Sequence, residues 1–332
     1  MSGVETREVD ADEAGMRLDR WFKQHYPGLG FGALQKLLRT GQVRVDGGRA
    51  KADMRLSAGQ AVRVPPLAVD GRGGGGGPVT VNTIRGRTDA DALRAMLLHE
   101  DEATYVLDKP PGLATQGGSG VVRHVDGMLE AWRNRKGEKP RLVHRLDRDT
   151  SGVLVVAKTR RAAQALTAAF RRRETEKIYW ALVKDVPNRN EGRISNWLRK
   201  VATPDGDRMV IARHGDDGAD HAVTRWRTVD RAAQRLAWLE MRPETGRTHQ
   251  LRVHAAAMGH PIIGDPKYFE ADQNWDFPGG MQNRLHLHAR RLVVPLPDGD
   301  VLDVVASLPA HMRQSWNLLG FDDATASLEE DD

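Results

Sequence analysis

Asp147 lies between Arg145 and Arg148 and is followed by Asp149, Thr150, Ser151 and Gly152, after which comes the apolar run Val153-Leu154-Val155-Val156. A polar stretch that runs into a buried-looking strand sits on a loop at the edge of a sheet, where a rigid scaffold holds such side chains. The flanking guanidinium groups are expected to keep Asp147 ionised at neutral pH and to orient its oxygens. A carboxylate held anionic serves as a nucleophile. The same residue types also fit an ordinary Asp-Arg salt-bridge cluster at a turn, and within this segment both readings stand.

Other constellations carry less. His249 with His254, and His286 with His288, suggest metal ligands, but there is no His-Glu-x-x-His arrangement and no carboxylate at the matching spacing, so no metal is expected. Ser119 in Gly117-Gly118-Ser119-Gly120 lacks the final glycine of a nucleophile elbow. The glycine run at 71–78 is not followed by Gly-Lys-Ser/Thr, and Gly28, Gly30 and Gly32 lack dinucleotide-fingerprint spacing. With no cysteine, disulfides, Cys-based zinc sites and thiol catalysis are excluded.

These candidates need elements to hold them. At 332 residues, with 39% hydrophobic and 29% charged residues, the chain has the length for two domains and the composition of a globular protein. The run 71–78 reads as a flexible linker. We therefore expect a module at 1–68, a linker at 69–80, a catalytic domain at 81–320 and an acidic tail at 321–332. In the first module Leu18, Trp21 and Phe22, then Leu34, Leu37 and Leu38, recur at helical spacing. Val43 and Val45 alternate with Arg44, and Asp46-Gly47 marks a hairpin turn. Beyond the linker, strands such as 104–107, 153–156 and 178–183 mix with helices, one of them capped by Thr159 with Ala163, Leu166 and Phe170 on one face. Rossmann-type alternation is absent, so the expected class is α+β with a mixed, largely antiparallel sheet.

The net charge is +5 although the last residues are strongly acidic, so the body is more basic than the total. A basic body favours polyanions because phosphate neutralisation releases counterions; an Arg-rich background composition explains the same surplus. Nothing resembles a signal peptide or an apolar run of spanning length, and a cytoplasmic protein is expected.

The first module, in Arg17-Leu18-Asp19-Arg20-Trp21 and Gly41-Gln42-Val43-Arg44-Val45-Asp46, resembles the S4 RNA-binding domain, which makes Arg39, Arg44 and Lys51 expected RNA contacts. The segment His144-Arg145-Leu146-Asp147-Arg148-Asp149-Thr150-Ser151-Gly152 resembles the central motif of the RluA, RluC and RluD group of pseudouridine synthases. Further matching blocks begin at Lys109-Pro110-Pro111-Gly112-Leu113, Lys177-Ile178-Tyr179, Thr245-Gly246-Arg247-Thr248-His249-Gln250-Leu251-Arg252 and Gly259-His260-Pro261, in the family's order.

That resemblance implies an isomerase that breaks the C1′–N1 bond of uridine in RNA, turns the uracil and joins C1′ to C5. The reaction is redox-neutral and calls for no cofactor or metal. It implies Asp147 as catalytic aspartate, adding to C1′ or abstracting the C2′ proton. Tyr179 packs on the uracil or sugar and is a candidate base for the C5 proton, with a core strand residue as its bland alternative. Arg252 is the basic partner of Asp147, against the alternative of a surface strand residue. Arg145 fills the space left by the flipped uridine, and Arg148 and Arg247 are looser RNA contacts. The glycine stretch at 117–120 and the block 282–289 look most like the RluC branch, implying 23S ribosomal RNA near the peptidyl-transferase region; RluD-like targets are the alternative. The expected partner is 23S RNA or the assembling large subunit, engaged by a monomer without a membrane. Two other classes compete: a nucleoside or glycoside hydrolase, which ordinarily needs a second catalytic carboxylate, and a non-catalytic RNA-binding assembly factor.

Overall fold

The computed structural model describes residues 4–10, 13–26, 29, 31–67, 81–118, 121–203, 206–269, 279–296 and 299–326. The glycine run at 71–78, Ser119 and residues 327–332 of the acidic tail lie outside them. The chain divides into two compact units, Met1–Pro78 and Val79–Asp332.

In the first unit strand β1 (Glu5–Glu8) is followed by helices α1 (Leu18–His25) and α2 (Phe31–Arg39), then by β2 (Arg44–Val45), β3 (Gly48–Arg49) and β4 (Ala61–Val64), with sheet order β1-β4-β2-β3. Leu18, Trp21 and Phe22 of α1 meet Leu34 and Leu38 of α2 and Val43, Val45, Val62 and Val64 in one core. The β2–β3 turn places Asp46 and Gly47 both at positive φ, the conformation a two-residue hairpin requires. Asp46 also accepts from the Ala61 amide at 2.8 Å, tying the turn to β4.

The second unit opens with α3 (Val81–Ala95), β5 (Leu97–Glu100), β6 (Thr104–Lys109), α4 (Val125–Met128), β7 (Arg141–Leu142), β8 (Ser151–Ala157) and α5 (Arg160–Arg172). It continues with β9 (Glu176–Lys184), β10 (Glu191–Val201), β11 (Arg208–Ala212), β12 (Asp220–Ala232), β13 (Leu236–Pro243), α6 (Gln250–Ala257), β14 (Leu287–Pro295), β15 (Val301–Val305) and α7 (Ala310–Leu319). Its strands form one sheet in the order β11-β10-β12-β13-β9-β14-β8-β6-β5, with β15 on β14 and β7 on β8. Among the described residues every pair is antiparallel except β14–β8, so the sheet is mixed and the class is α+β, as expected.

That parallel join explains the Thr-Ser-Gly sequence after Asp149. Gly152 sits at φ +108, and a Cβ there would lie 2.2 Å from the Ala289 carbonyl oxygen, so only glycine admits β14. Ser151 Oγ, also buried, bonds His288 Nδ1 across the same seam at 2.9 Å. Two cores flank the central strands. Leu166 and Ala162 of α5 pack with Val153 and Val155, and Trp316 of α7 packs with Trp180 and Trp238. Residues 321–326, expected to begin the acidic tail, belong to the body: Phe321 and Ala326 are buried with Trp316, and Asp323 pairs with Arg313 at 2.9 Å. Phe321 is an aromatic that gains by burial, which charge counting along the tail overlooks.

Candidate active site

A cleft of about 480 Å³ opens between the loop after β7, the C-terminal end of α5, strand β9 and the segment entering α6. Asp147, Tyr179, Arg252, Arg145 and Arg247 all line it, so residues spread over more than a hundred positions converge. Arg148 does not join them; it lines a separate cavity with Pro111, Gly112 and Arg284.

The Asp147 loop is clamped on both sides. Before it, the Thr115 hydroxyl donates to the Leu146 carbonyl at 2.7 Å and accepts from the Leu146 amide at 3.2 Å. After it, the Arg148 carbonyl accepts from the Gly112 amide at 2.9 Å and from Lys109 Nζ at 3.0 Å. Lys109 is fully buried and gives its other protons to the carbonyls of Pro110 and Leu113. Burial lowers its pKa to about 7 against the pull of Asp149 and Asp147. Three carbonyl acceptors use all three ammonium protons, which favours the charged form. His144, at the entry to the loop, accepts from the Val155 amide at 2.8 Å and stacks on Phe170 at 4.6 Å. Burial, with Lys177 nearby, drops its pKa to about 3, so it is a neutral imidazole carrying its proton on Nδ1.

The electrostatics around Asp147 differ from the sequence expectation. The flanking arginines do not hold it: Arg148 pairs with Asp149 at 3.3 Å, and among the described residues Arg145 forms no ion pair. Neighbours along an irregular loop diverge, whereas partners from α6 converge. Arg252 Nη1 stands 3.6 Å from Asp147 Oδ2 and His249 Nε2 stands 3.8 Å from it. Arg252 is a buried helical residue, which also removes the surface-strand alternative.

Asp265, to which no role was assigned from sequence, orients Arg252. Its two oxygens accept from Nε and Nη2 at 2.7 Å each, and it caps the amides of Lys267 and Tyr268. Burial works against the Arg252 charge, but the Asp265 hydrogen bonds and the charges of Asp265 and Asp147 outweigh it and raise the pKa. The Tyr268 oxygen accepts from the Met209 amide at 3.0 Å and lies 2.9 Å from His249 Nδ1. With the Met209 amide already donating to the Tyr268 oxygen, the phenol proton can go to Nδ1, an arrangement that would leave the His249 proton on Nε2, towards Asp147. Burial lowers the His249 pKa, partly offset by Asp147, and keeps the ring neutral. His249 adopts φ +53 at the start of α6, a turn held by Gln250. Gln250 Oε1 accepts from Thr245 and the Arg247 amide, and its Nε2 donates to Val223 and Thr224.

Tyr179 alternates with the core residues Ile178 and Trp180 and so faces the cleft. Burial and the nearby Asp147 charge push its phenol pKa well above the usual range, so it stays protonated. His254, His286 and His288 bond Thr224, the Arg284 carbonyl and Ser151 respectively. Among the described residues no group of three His, Asp or Glu side chains is arranged to hold a metal.

A model of the RNA pseudouridylate synthase family matches residues 103–257. The chain is also 34% identical, over 94% of its length and 96% of the relative's, to the ribosomal large subunit pseudouridine synthase C of Vibrio cholerae serotype O1. The chain belongs to the RNA pseudouridylate synthase family. A mitochondrial RNA pseudouridine synthase 4 of Arabidopsis thaliana is 34% identical over 90% of this chain and 78% of its own. The solved structure of human RNA pseudouridylate synthase domain containing 4 has a TM-score of 0.60 at 30% identity, covering 72% of this synthase and 98% of that chain. This chain is thus an RNA pseudouridine synthase, an isomerase acting on RNA. Among its described residues no helix is long and apolar enough to cross a membrane.

In the first unit, Arg39 and Lys51 are exposed. Arg44 donates to the Gly41 carbonyl at 3.2 Å and to the Gly47 carbonyl at 3.1 Å, so part of its guanidinium braces the hairpin. Sequence reasoning passed over Thr115, Lys109, Gln250, His249 and Asp265 as positioning residues. All five lie in or beside the matched blocks, and that adjacency was the available signal.

Proposed function

We propose that the synthase isomerises uridines of 23S ribosomal RNA, RluC-like in its choice near the peptidyl-transferase region, with Asp147 as the reacting carboxylate. The observation that carries this reading is the placement of Asp147: side-chain exposure of 18% on the cleft wall, with Arg252 behind it and Tyr179 lining the same cleft. The base flips into the cleft, and Asp147 either adds to C1′ as the C1′–N1 bond breaks or takes the C2′ proton to give a glycal. Either route needs a carboxylate beside the sugar. The uracil turns, C5 bonds to C1′, and the C5 proton is lost to a base, so no atom enters or leaves beyond that proton exchange.

Arg252 holds Asp147 in place without itself moving, because Asp265 fixes its fork. A phenol that resists ionisation supports Tyr179 as the surface on which uracil packs, rather than as the base for the C5 proton. Arg145 is exposed at the cleft and carries no ion pair among the described residues, which suits a guanidinium that stacks in the gap left by the flipped base. The first unit serves as an S4-like RNA-binding domain over 1–68, joined through 69–80 to the catalytic domain, with Arg39, Arg44 and Lys51 on RNA. Arg247 and Arg148 are further contacts. The protein works as a cytoplasmic monomer without cofactor or metal, and its partner is large-subunit RNA or the assembling subunit.

The test is tritium release from 23S transcript labelled at uridine C5. Asp147→Asn is expected to lower release by at least about 10⁴-fold, the scale of losing a covalent catalyst's key group, with RNA binding within a few-fold of wild type. Release at the wild-type rate removes Asp147 from the reaction, and free uracil among the wild-type products would establish a hydrolase.

A further inference from the structure

Lys177 lies two residues before Tyr179 on β9, so both side chains leave the same face of the strand about 6.6 Å apart. Both line the cleft, together with Arg171 and Arg173 from the end of α5. Other half-buried or buried lysines of this unit are partnered. Lys109 holds three carbonyls, Lys139 pairs with Asp126 at 3.1 Å, Lys158 with Glu100, and Lys267 donates to the Asp207 carbonyl. Lys177 is half-buried and, among the described residues, makes no hydrogen bond and no ion pair. A partly dehydrated ammonium without a partner is unfavourable. Burial and the neighbouring Arg173 lower its pKa accordingly.

The surrounding carboxylates are all turned to other cations. Glu176 accepts from Arg242 at 2.7 Å, Glu174 faces Arg172 at 3.9 Å, and Glu244, which lines the cleft, is held by Arg193 and Arg225. Favourable interaction with the α5 C-terminal dipole explains cations at 171 and 172. It does not explain Lys177, which is on a strand. Nor does it explain why Arg173 occupies the left-handed C-cap at φ +63, a position that favours glycine. What these residues share is a stretch of cleft wall with positive charge that neither cleft carboxylate, Asp147 on Arg252 or Glu244 on Arg193 and Arg225, pairs with.

Building on the reading of this cleft as the uridine site, we infer that Lys177, Arg173 and Arg171 form a subsite for the RNA phosphodiester flanking the flipped nucleotide. The uracil packs at Tyr179, and the strand continues one nucleotide repeat along β9 to place a phosphate between Lys177 and the α5 terminus. Lys177 is the half-buried centre of the subsite, and the two arginines are its exposed rim.

The experiment uses the full-length chain and unmodified 23S transcript, with the equilibrium Kd measured across a salt series and tritium release assayed in parallel. Lys177→Met is expected to weaken binding about tenfold at low salt and to make the log–log salt slope shallower by about one. Lys177→Arg should keep the wild-type slope. Arg291→Met, which removes the same unit charge from an arginine paired with Asp303, is the control. Thermal stability of Lys177→Met should match or exceed wild type, because the side chain has no partner to lose. A slope equal to that of the Arg291→Met control overturns the subsite, as does a fall in thermal stability with unchanged slope. Failure of the wild-type protein to release tritium would instead overturn the uridine reading, while the salt slope still reports whether a phosphate is held.

Discussion

Two arginine-rich regions of the second unit look equivalent by composition and differ in what the guanidinium groups touch. Across β10, β12 and β13, Arg193, Arg225 and Arg242 stand in one cross-strand row, next to a row formed by Glu191, Arg227 and Glu240. Every arginine there has a carboxylate: Glu244 holds Arg193 and Arg225, and Glu240 holds Arg227 and Arg242. At the cleft the pattern reverses, with Arg145, Arg171, Arg173 and Lys177 unmatched by acids among the described residues. The row is a self-neutralised sheet surface, whereas the cleft is poised for an external anion. Counting basic residues does not locate an RNA site; the distribution of their partners does.

The sharpest way to break this contrast is at Arg252, the cleft cation that Asp265 holds through both Nε and Nη2. Asp265→Asn keeps the shape but removes the charge that fixes Arg252, leaving a buried guanidinium under-compensated. We expect a loss of about 3 kcal/mol of stability and a fall in kcat of roughly hundredfold with little change in KM, read by thermal unfolding and steady-state tritium release. A variant with wild-type kcat would show that Arg252 does not need Asp265 to serve Asp147.

Acid separates the two regions next. His144 and His288 are depressed to about 3, and His254 and His286 to about 4, each mainly by burial. The unfolded chain binds their protons near pH 6.5, so their contribution is complete above that value. It is lost as pH falls from 6.5 towards the folded values, at up to about 1.4 kcal/mol per pH unit for each proton. Glu244 has the same sense in a lower window: its pKa is lowered by the Arg193 and Arg225 hydrogen bonds, so its contribution is complete above about 4.5 and is lost as pH drops through the lowered value. The melting temperature should therefore decline steadily from pH 6.5 to 5, while the arginine row is still intact. A flat profile over that interval would contradict the neutral burial of these histidines.

The smallest effect is expected on the row itself. Arg225→Met removes a guanidinium that is 69% exposed, and exposed pairs contribute little. Stability should shift by less than about 0.5 kcal/mol, and the Kd for 23S transcript by less than about twofold. An effect on Kd as large as that of Lys177→Met would mean that pairing is not what distinguishes the two regions.

Much of this was legible in the residues. The α+β class, the hairpin at Asp46-Gly47 and the Thr159 cap follow from local rules of period, capping and turn geometry, whereas the alternation around Tyr179 allowed a core residue as readily and only the resemblance pointed to the site. The Asp147 neighbourhood was misread in one respect: residues adjacent in sequence were credited with holding the carboxylate. On an irregular loop, adjacent side chains have no reason to converge, and Arg148 points into a different cavity. The partners lie roughly a hundred residues later, at Arg252, which the resemblance had implied, and at His249, which it had not. The start of the tail was misplaced for a related reason, because charge density along 321–332 hides the apolar anchors Phe321 and Ala326.

The amino-acid sequence by itself determined which groups are present and in which blocks: a carboxylate between arginines, a tyrosine at strand period, a glycine where two strands must meet, and no thiol. Only the tertiary structure decided their electrostatic state. Thr115, Lys109 and Gly112 lock the backbone on either side of Asp147, Asp265 aims Arg252, Tyr268 bonds the far nitrogen of His249, and Lys177 is left without an anion. Each of these depends on distance and burial between residues far apart in the chain, and Coulombic and hydrogen-bond energies are functions of those two quantities rather than of sequence separation.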